Sequence, residues 1–405
     1  MKDFWIWVPT KIVFGRNCLD ELADGVKLWG GKDGKEPRVL LVTGGGSIKK
    51  MGLYDKVTGI LNDAGIKFFE YSGVSANPKV SHLRKGIEFA RENKVNVVLA
   101  VGGGSVIDEA KGIAVGYDYD GDIWDLSTEL NSKGAAVSTP VLPVLTILTL
   151  SATGTEMATG CNWTNDTVTP AVKRGLHGPE VRPKITFENP EFTYSVSEFQ
   201  TAAGSADVLS HIFESYFSNA TTAYMQARVA EAMMKTVIKY APIAMKDPTN
   251  YEARANLMYC ASWANNGYIV KGNQVNWSVH ALEHELTSFN DTTHGEGLAV
   301  ITPRWMEWVI TDESKLYRFV ELGQNVFGIS TEGKTDLEVA KETIQAVKDF
   351  FWKDLKLKSR IRDLGIEHDK LEMFTEQVSK KLGYLQGCYK PFTREVIAQI
   401  YEASY

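Results

Sequence analysis

The sequence predicts an α/β domain with a mostly parallel, Rossmann-like sheet, followed by an all-helical domain. Up to about residue 190, short β-branched runs alternate with helical patterns. This alternation predicts parallel strands covered by helices on both faces. Beyond that point come long stretches rich in Ala, Glu, Lys, Met and Leu. Because 405 residues also exceed the size at which a single core stops growing, we divide the chain into residues 1–190 and 191–405.

The predicted elements follow one another along the chain. In the first domain the patterns predict strands at 38–42, 67–71, 96–101 and 141–149, and helices at 54–64, 82–93 and 106–115. Glu188-Asn189-Pro190 is a turn signal at the domain boundary. In the second domain the stretches 223–239, 251–265, 337–351 and 370–382 predict helices.

Composition and charge exclude several classes of protein. The formal net charge of −6 argues against nucleic acid or an anionic membrane as a partner. The longest apolar stretch, 141–150, is interrupted by Pro143 and is too short to span a bilayer. The N-terminus lacks the apolar segment and cleavage site of a signal peptide. Four cysteines without paired spacing fit a reducing compartment, so we expect a cytoplasmic protein.

Two glycine-rich loops follow predicted strands and precede predicted helices. They are Gly44-Gly45-Gly46-Ser47 and Gly102-Gly103-Gly104-Ser105. Glycine lets a ligand approach the backbone closely, and the N-terminus of the following helix favours phosphate. Together with a third polar turn at 151–156, the loops favour a long ligand that contains a diphosphate. The alternative is that each loop is only a tight strand-to-helix turn.

Neither loop is the G-x-G-x-x-G fingerprint of dinucleotide-binding domains. The third glycine position is Lys49 in the first loop and Ile107 in the second. Without that glycine, the assignment of Glu70 to a ribose is weak. The pattern alone therefore indicates a nucleotide-phosphate site in the α/β domain.

An aspartate and several histidines form two clusters in the second domain. Asp207 and His211 are four residues apart, as are His280 and His284, and His294 follows. Residues four apart share a helix face, so two helices that present such pairs to each other can enclose a divalent metal. No cysteine lies in either cluster, which excludes a Cys-rich structural zinc site. For Asp207 and His211 taken alone, the alternative is that they are an exposed polar pair, or that one caps the helix N-terminus and the other is only its neighbour.

A metal and a dinucleotide at one cleft suggest metal-assisted hydride transfer. We expect the two sites to face each other across a cleft between the domains. This chemistry requires no protein nucleophile, and the sequence shows no Ser-His-Asp or reactive-cysteine arrangement. A non-catalytic protein that binds a metal and a nucleotide is the alternative from a different class.

Taken together, these motifs resemble those of the iron-containing (group III) alcohol dehydrogenases. The resemblance runs end to end, from the segment 9–15 to a C-terminal helix at 394–403. It includes Asn77-Pro78, the segments 102–111 and 152–156, and H-x-x-x-H-x9-H with D-x-x-x-H upstream. The chain is most similar to the butanol dehydrogenase and aldehyde reductase branch. The resemblance implies a dehydroquinate synthase-like architecture and the interconversion of primary, butanol-like alcohols and aldehydes with NADP(H) or NAD(H).

The resemblance also implies roles for individual residues. The implied metal ligands are Asp207, His211, His280 and His294. His284 is then placed near the nicotinamide and the substrate, where it relays the alcohol proton or only shapes the pocket. Cofactor contacts are implied for Gly104, Ser105, Asn77, Asp108, Thr149, Thr153 and Lys173. Around Thr149 the chain departs from the family pattern, with Leu150-Ser151 where many members have Thr-Ala-like residues.

The first glycine loop bears on the choice of cofactor. NAD-preferring members of the family often carry an aspartate just after the first strand, and in this chain that position is Gly44. With no carboxylate to repel a 2′-phosphate and with Lys49 and Lys50 nearby, we predict a preference for NADP(H) over NAD(H). The alternative is that both lysines are solvated helix residues.

The metal, the substrate and the assembly are less narrowly defined. Three imidazoles and a carboxylate suit Fe(II), Zn(II), Ni(II) or Co(II), and the resemblance implies Fe(II). His211 as a fourth ligand favours the alcohol dehydrogenase branch over the glycerol dehydrogenases and dehydroquinate synthases, which use three protein ligands. A polyol dehydrogenase or a dehydroquinate synthase-like lyase is the enzymatic alternative. By analogy with the family we expect a homodimer, formed through an N-terminal strand at the edge of the sheet.

Overall fold

The computed structural model describes residues 2–127, 140–220 and 222–405 of the chain. These residues form two compact units. One unit comprises Trp7–Val196, and the other comprises Ser197–Tyr405 together with the N-terminal residues up to Ile6. The division falls between Val196 and Ser197, somewhat beyond the boundary expected near residue 190.

The α/β unit contains a six-stranded parallel sheet and a two-stranded antiparallel hairpin. Its strands are β1 (Lys11–Phe14), β2 (Arg38–Gly44), β3 (Lys67–Val74), β4 (Val97–Gly102), β5 (Val144–Leu148), β6 (Gly160–Asn165), β7 (Val172–His177) and β8 (Ile185–Glu188). Its helices are α1 (Leu22–Gly30), α2 (Ser47–Lys50), α3 (Leu53–Asp63), α4 (Val80–Glu92) and α5 (Gly104–Gly116). The order of strands in the sheet is β1-β8-β5-β4-β2-β3, and β6 and β7 form the hairpin. The predicted α/β class with a parallel sheet is confirmed.

The central strands are buried on both faces, which explains their continuous apolar sequences. Every residue of β4 and of β5 is buried, as is typical of parallel strands covered by helices. Sequence patterns gave no bounds for β1, β6, β7 or β8, although an N-terminal strand at the edge of the sheet was expected. Strands β1 and β8 are only four residues long, and the polar residues of β6 and β7 obscure any alternation.

The order of the strands determines where the glycine loops meet. Strands β2, β4 and β5 are neighbours and run in the same direction, so their carboxyl ends lie at one edge of the sheet. Strand β3 lies on one side of β2, and the next strand along the chain, β4, lies on the other side, so the strand order reverses at β2. In open α/β sheets, ligands bind at the carboxyl ends of the strands where the strand order reverses.

Among its described residues the second unit contains helices joined by loops and no β-strand, which confirms the predicted all-α region. Its helices are α6 (Glu198–Tyr216), α7 (Tyr224–Lys246), α8 (Tyr251–Ala264), α9 (Ser278–Asn290), α10 (His294–Val309), α11 (Leu316–Leu322), α12 (Asp336–Asp349), α13 (Leu371–Ser379), α14 (Leu382–Leu385) and α15 (Arg394–Ser404). Their apolar faces share one core, in which the ring of Phe217 packs against those of Trp305 and Phe319.

Local sequence explains where two of these helices begin. The side chain of Ser197 accepts a hydrogen bond from the backbone N–H of Gln200 and so caps α6. Thr335 and Glu338 form a capping box at the start of α12. Among the helices described here, none has the length and apolar character needed to cross a bilayer.

Candidate active site

Three side chains from three helices converge in the helical unit. Asp207 lies on α6, His280 lies on α9, and His294 is the first residue of α10. One ligand atom from each residue lies within 4.8 Å of the other two. The distance from Asp207 Oδ1 to His294 Nε2 is 3.9 Å. Residues far apart in the sequence thus form one cluster, with the start of a third helix joining the two that the sequence predicted.

A close approach between α10 and α6 explains why a glycine follows His294. A Cβ atom on Gly295 would come 1.8 Å from the carbonyl oxygen of Ala203 on α6. Because that oxygen belongs to the backbone, any larger residue would push the two helices apart. Gly295 therefore belongs to the packing that keeps His294 beside Asp207.

Two buried polar atoms of the cluster have no hydrogen-bond partner among the described residues. They are Oδ1 of Asp207 and Nε2 of His280. Burial of an unpaired polar atom costs on the order of 1–3 kcal/mol, and native proteins rarely tolerate it. A carboxylate oxygen and an imidazole nitrogen are ligands of divalent transition metals. The residues present therefore fit a metal centre.

His211 stands beside this trio and is also buried. Its Nδ1 atom donates a hydrogen bond to the backbone carbonyl oxygen of Asp207 at 2.9 Å and lies 3.1 Å from Asp207 Oδ1. Its ring centroid is 4.7 Å from that of His280. Because Nδ1 is engaged, Nε2 is the ring nitrogen that remains for a ligand. His211 thus stays a fourth candidate, outside the tightest group of three.

His284 lies at the margin of the cluster. Its ring centroid is 6.3 Å from that of His280 and 5.6 Å from that of His294. With Glu283 and His294 it forms a second group of ligand atoms within 4.8 Å of one another. Its side chain is half-buried, whereas His280 and Asp207 are buried. This difference in exposure distinguishes His284 from His280, which sequence spacing alone could not do.

The electrostatics of the cluster favour the metal-binding protonation states of Asp207 and His280, but they favour the protonated form of His211. Burial raises the pKa of the Asp207 carboxyl, but the charge and hydrogen bond of His211, together with the charges of His294 and His280, outweigh burial and hold that pKa well below its usual range. Burial lowers the pKa of His280. Burial also lowers the pKa of His211, but the Asp207 carboxylate reverses the direction and raises it. An ionised carboxylate and neutral imidazoles are the ligand forms, so metal binding would displace a proton from His211.

Two glutamates that the sequence analysis did not single out contact the histidines. Glu214 Oε1 accepts a hydrogen bond from His280 Nδ1 at 3.3 Å, and Glu283 Oε2 is paired with His294 Nδ1. A sequence signal exists for Glu214, which lies three residues after His211 and so near the same helix face. Glu283 follows His280 by the same interval.

In the α/β unit, the predicted phosphate loops lie at the ends of adjacent strands. Gly44 ends β2, Gly45 and Gly46 connect it to α2, which begins at Ser47, and Gly104 and Ser105 open helix α5. A Cβ atom on Gly104 would come 2.5 Å from Oγ1 of Thr153. Glycine at this position therefore lets the start of α5 approach the third polar turn, where a helix N-terminus favours phosphate.

Asp108 makes its hydrogen bonds within the fold. Its Oδ1 atom accepts from the hydroxyl of Thr155 at 2.5 Å, and its Oδ2 atom accepts from the backbone N–H of Asn162 at 2.9 Å. The ammonium group of Lys111, which is fully buried, donates to the same Thr155 hydroxyl at 2.9 Å. Asp108 thus holds the polar turn in place, and its contact with a cofactor stays a prediction.

The other predicted cofactor residues lie in two places. Thr149 follows β5, and its backbone N–H binds the carbonyl oxygen of Gly102 at 3.1 Å. Thr149 therefore adjoins the second glycine loop. Asn77 and Lys173 form a separate pair, in which Lys173 Nζ donates to Asn77 Oδ1 at 3.4 Å.

Lys49, the basic residue after the first glycine loop, is paired with a carboxylate. Its Nζ atom lies 2.8 Å from Glu70 Oε1, and the hydroxyl of Tyr54 donates to Glu70 Oε2 at 2.7 Å. Burial raises the pKa of Glu70, but the hydrogen bonds from Lys49 and Tyr54 outweigh it and lower that pKa. Glu70 is therefore ionised and partly neutralises Lys49, a contact that the sequence did not indicate.

Comparison with known protein families accounts for both units. The model of the iron-containing alcohol dehydrogenase family matches residues 9–190. The model of the C-terminal region of the Fe-containing alcohol dehydrogenase family matches residues 201–405. The chain therefore belongs to the iron-containing alcohol dehydrogenase family, as the sequence motifs predicted.

Relatives resemble the chain over its whole length. It is 45% identical to the NADH-dependent butanol dehydrogenase B of Clostridium acetobutylicum, over 100% of both chains. It is 32% identical to the NADPH-dependent aldehyde reductase YqhD of Escherichia coli, again over 100% of both chains. The crystal structure of NADH-dependent butanol dehydrogenase A from Thermotoga maritima superposes with a TM-score of 0.91 at 34% identity, over 100% of this chain and 99% of that one. The likeness thus extends from sequence to fold.

Proposed function

We propose that this chain interconverts primary, butanol-like alcohols and the corresponding aldehydes by hydride transfer with a nicotinamide cofactor. The observation that carries the proposal is the cluster of Asp207, His280 and His294, in which two buried atoms have no hydrogen-bond partner among the described residues. The relatives named above are butanol dehydrogenases and an aldehyde reductase that depend on NADH or NADPH. Alcohol and aldehyde interconversion by an NAD(P)-dependent oxidoreductase is the activity that the cluster and the relatives support together.

Four side chains would hold a divalent metal in the helical unit. They are Asp207, His211, His280 and His294, which supply one carboxylate and three imidazoles. Fe(II) is expected from the family, and Zn(II) is the first alternative because the same donors suit it. When bound, such a metal supplies Lewis acidity to an alcohol or aldehyde oxygen.

His284 would carry the proton of the alcohol. Its imidazole is half-buried beside the cluster, so a ring nitrogen can take the proton from the substrate oxygen and pass it to water. The alternative is that the ring only shapes the pocket. A relay predicts that His284→Ala lowers turnover and changes its pH dependence while the metal content stays the same. Full turnover in this variant would exclude the relay.

The glycine loops would bind the dinucleotide. Gly104 and Ser105 open helix α5 and would receive the diphosphate. We propose a preference for NADP(H), because Gly44 leaves no carboxylate at the end of β2 to repel a 2′-phosphate. The preference is expected to be small for two reasons. Glu70 partly neutralises Lys49, and the relative at 45% identity is NADH-dependent by name.

The activity is tested by following nicotinamide absorbance in purified, metal-loaded protein. The proposal predicts that butanal causes oxidation of NADH and of NADPH, and that no oxidation occurs without the aldehyde. Activity on glycerol without activity on butanol or butanal would select the polyol dehydrogenase instead. Cofactor binding without turnover of any alcohol or aldehyde would select a non-catalytic protein.

A homodimer is the proposed assembly. Strand β1 lies at the edge of the sheet and pairs with β8 on one side only. In the segment before it, Trp5 and Trp7 are 65% and 56% exposed, and large exposed aromatic side chains are frequent at interfaces. Light scattering is expected to give twice the mass of one chain, and a monomer at micromolar concentration would contradict this.

We also keep the cytoplasm as the proposed location, because all four cysteines are free and buried.

A further inference from the structure

Two buried carboxylates bind the Nδ1 atoms of two of the candidate ligand histidines. We propose that Glu214 and Glu283 are positioning residues that fix His280 and His294 and leave the Nε2 atom of each ring for the metal. We propose further that Glu214 does this while it caps helix α9. This inference rests on the metal centre of the proposed function, and it concerns residues to which neither the motifs nor the resemblance gave any role.

Glu214 accepts hydrogen bonds from the first turn of α9 as well as from the ring. Its Oε2 atom accepts from the backbone N–H of Ser278 at 2.9 Å and from the Ser278 hydroxyl at 3.0 Å. Its Oε1 atom accepts from the backbone N–H groups of Val279 at 2.6 Å and His280 at 3.1 Å. The same Oε1 atom lies 3.3 Å from His280 Nδ1. One carboxylate thus holds both the backbone and the side chain of His280.

Helix α9 has no cap from its own sequence. The residue before it, Trp277, has φ 32° and provides no side-chain cap, and the first turn of α9 contains no acidic residue. The first N–H groups of a helix require acceptors, and a negative charge there is stabilised by the helix dipole. Glu214, which lies on α6, supplies both from outside the helix. The contact therefore fixes the start of α9 relative to the helix that carries Asp207.

Glu283 forms the second link of the same kind. Its Oε2 atom is paired with Nδ1 of His294, and its Oε1 atom accepts from the hydroxyl of Thr287. The side chain of Glu283 is fully buried. Because Glu283 lies on α9 and His294 on α10, this pair joins the next two helices.

The orientation of the two rings follows from these contacts. A ring whose Nδ1–H donates to a carboxylate keeps Nε2 unprotonated, which is the form that binds a metal, and the carboxylate also increases its basicity. In this structure Nε2 of His280 has no partner among the described residues, and Nε2 of His294 lies 3.9 Å from Asp207 Oδ1. Both rings thus present the nitrogen opposite to the one that the glutamate holds.

The test measures metal affinity in Glu214→Gln and Glu283→Gln. Metal-free protein is titrated with Co(II) against a competing chelator, and the visible absorption of bound Co(II) reports its coordination. We expect both variants to bind Co(II) about tenfold to a hundredfold more weakly than the wild type, the range typical of such partners of metal ligands. We also expect an altered Co(II) spectrum, which a general loss of stability would not produce.

Glu231→Gln is the matched control. Glu231 is also buried, and its Oε1 atom accepts from Tyr216 of α6 at 2.7 Å, from Arg228 at 2.6 Å and from Asn325 at 3.1 Å. It is expected to keep wild-type Co(II) affinity. Glu283→Gln leaves the cap of α9 in place, so it tests the idea even where Glu214→Gln unfolds.

Two outcomes would count against the inference, and a third would count against the proposed function. Wild-type Co(II) affinity in either folded glutamine variant would overturn it, and so would an equal loss of affinity in the Glu231→Gln control. A wild-type chain that binds no Co(II) at all would instead contradict the metal centre of the proposed function.

Discussion

The two units of this chain provide their candidate sites by different means. In the helical unit the metal centre consists of side chains, Asp207, His280 and His294, whose ligand atoms lie within 4.8 Å of one another. In the α/β unit the phosphate loops consist mainly of backbone, at Gly44–Gly46 and at the start of α5. A side-chain site fails when a single residue is lost. A backbone site fails when a side chain is added, and each failure gives a distinct kinetic signature.

The loss of a metal ligand should have the largest effect. His280→Ala removes a ring that lies in the tightest group of the cluster. We expect kcat/KM for butanal to fall by at least about a thousandfold, because a Lewis acid supplies several kcal/mol of stabilisation to the transition state. Cofactor affinity should hardly change. Steady-state kinetics and fluorescence titration with NADPH measure the two quantities.

His368→Ala is the control for that variant. His368 lies in the same unit, is 58% exposed and pairs with Glu402. It should keep wild-type kinetics. A His280→Ala enzyme with more than a tenth of wild-type activity would show that the cluster is not the catalytic centre.

The addition of a side chain to a glycine loop should have an intermediate effect. Gly104→Ala places a Cβ atom 2.5 Å from Thr153 Oγ1, so the start of α5 and the polar turn must separate. We expect KM for the cofactor to rise about tenfold, an amount that corresponds to the loss of one hydrogen bond to a charged group. The metal content should stay the same. Gly59→Ala is the control, because a Cβ atom there meets nothing within 4 Å, and an equal change in both variants would contradict the expectation.

Cofactor preference should show the smallest change. Glu70→Gln removes the charge that partly neutralises Lys49 and leaves the lysine free to attract a 2′-phosphate. We expect the ratio of kcat/KM for NADPH to that for NADH to rise about threefold to tenfold, as one partly exposed charge pair allows. Glu92→Gln, an exposed change on α4, should leave the ratio as it is. An unchanged ratio in Glu70→Gln would show that the Lys49 and Glu70 pair does not influence the choice of cofactor.

The contacts within the two units also differ in how far the sequence predicts them. Helix spacing was enough to pair Asp207 with His211, because both lie on one helix and depend only on its period. The contacts of Glu214 with α9 and of Glu283 with His294 join different helices. Such contacts depend on how helices pack, and no local period contains that information. The same limitation hid the pair of Lys49 and Glu70, which joins α2 to β3.

In the fold, too, only the features that depend on local sequence pattern could be predicted. The apolar sequences of β4 and β5 predicted buried parallel strands, because both faces of those strands are covered. The edge strand β1 has no fully buried residue, so its sequence carries no such signal. The position of the residues up to Ile6 with the helical unit likewise depends on long-range packing and not on local pattern.

The most direct test of the central claim is an anaerobic Fe(II) titration of metal-free protein, followed by the oxidation of NADPH with butanal. The account predicts that activity rises in proportion to bound iron and stops rising at one Fe(II) per chain. It also predicts that Asp207→Asn shows neither saturable binding nor activity. Equal butanal reduction by metal-free and iron-loaded protein would contradict it.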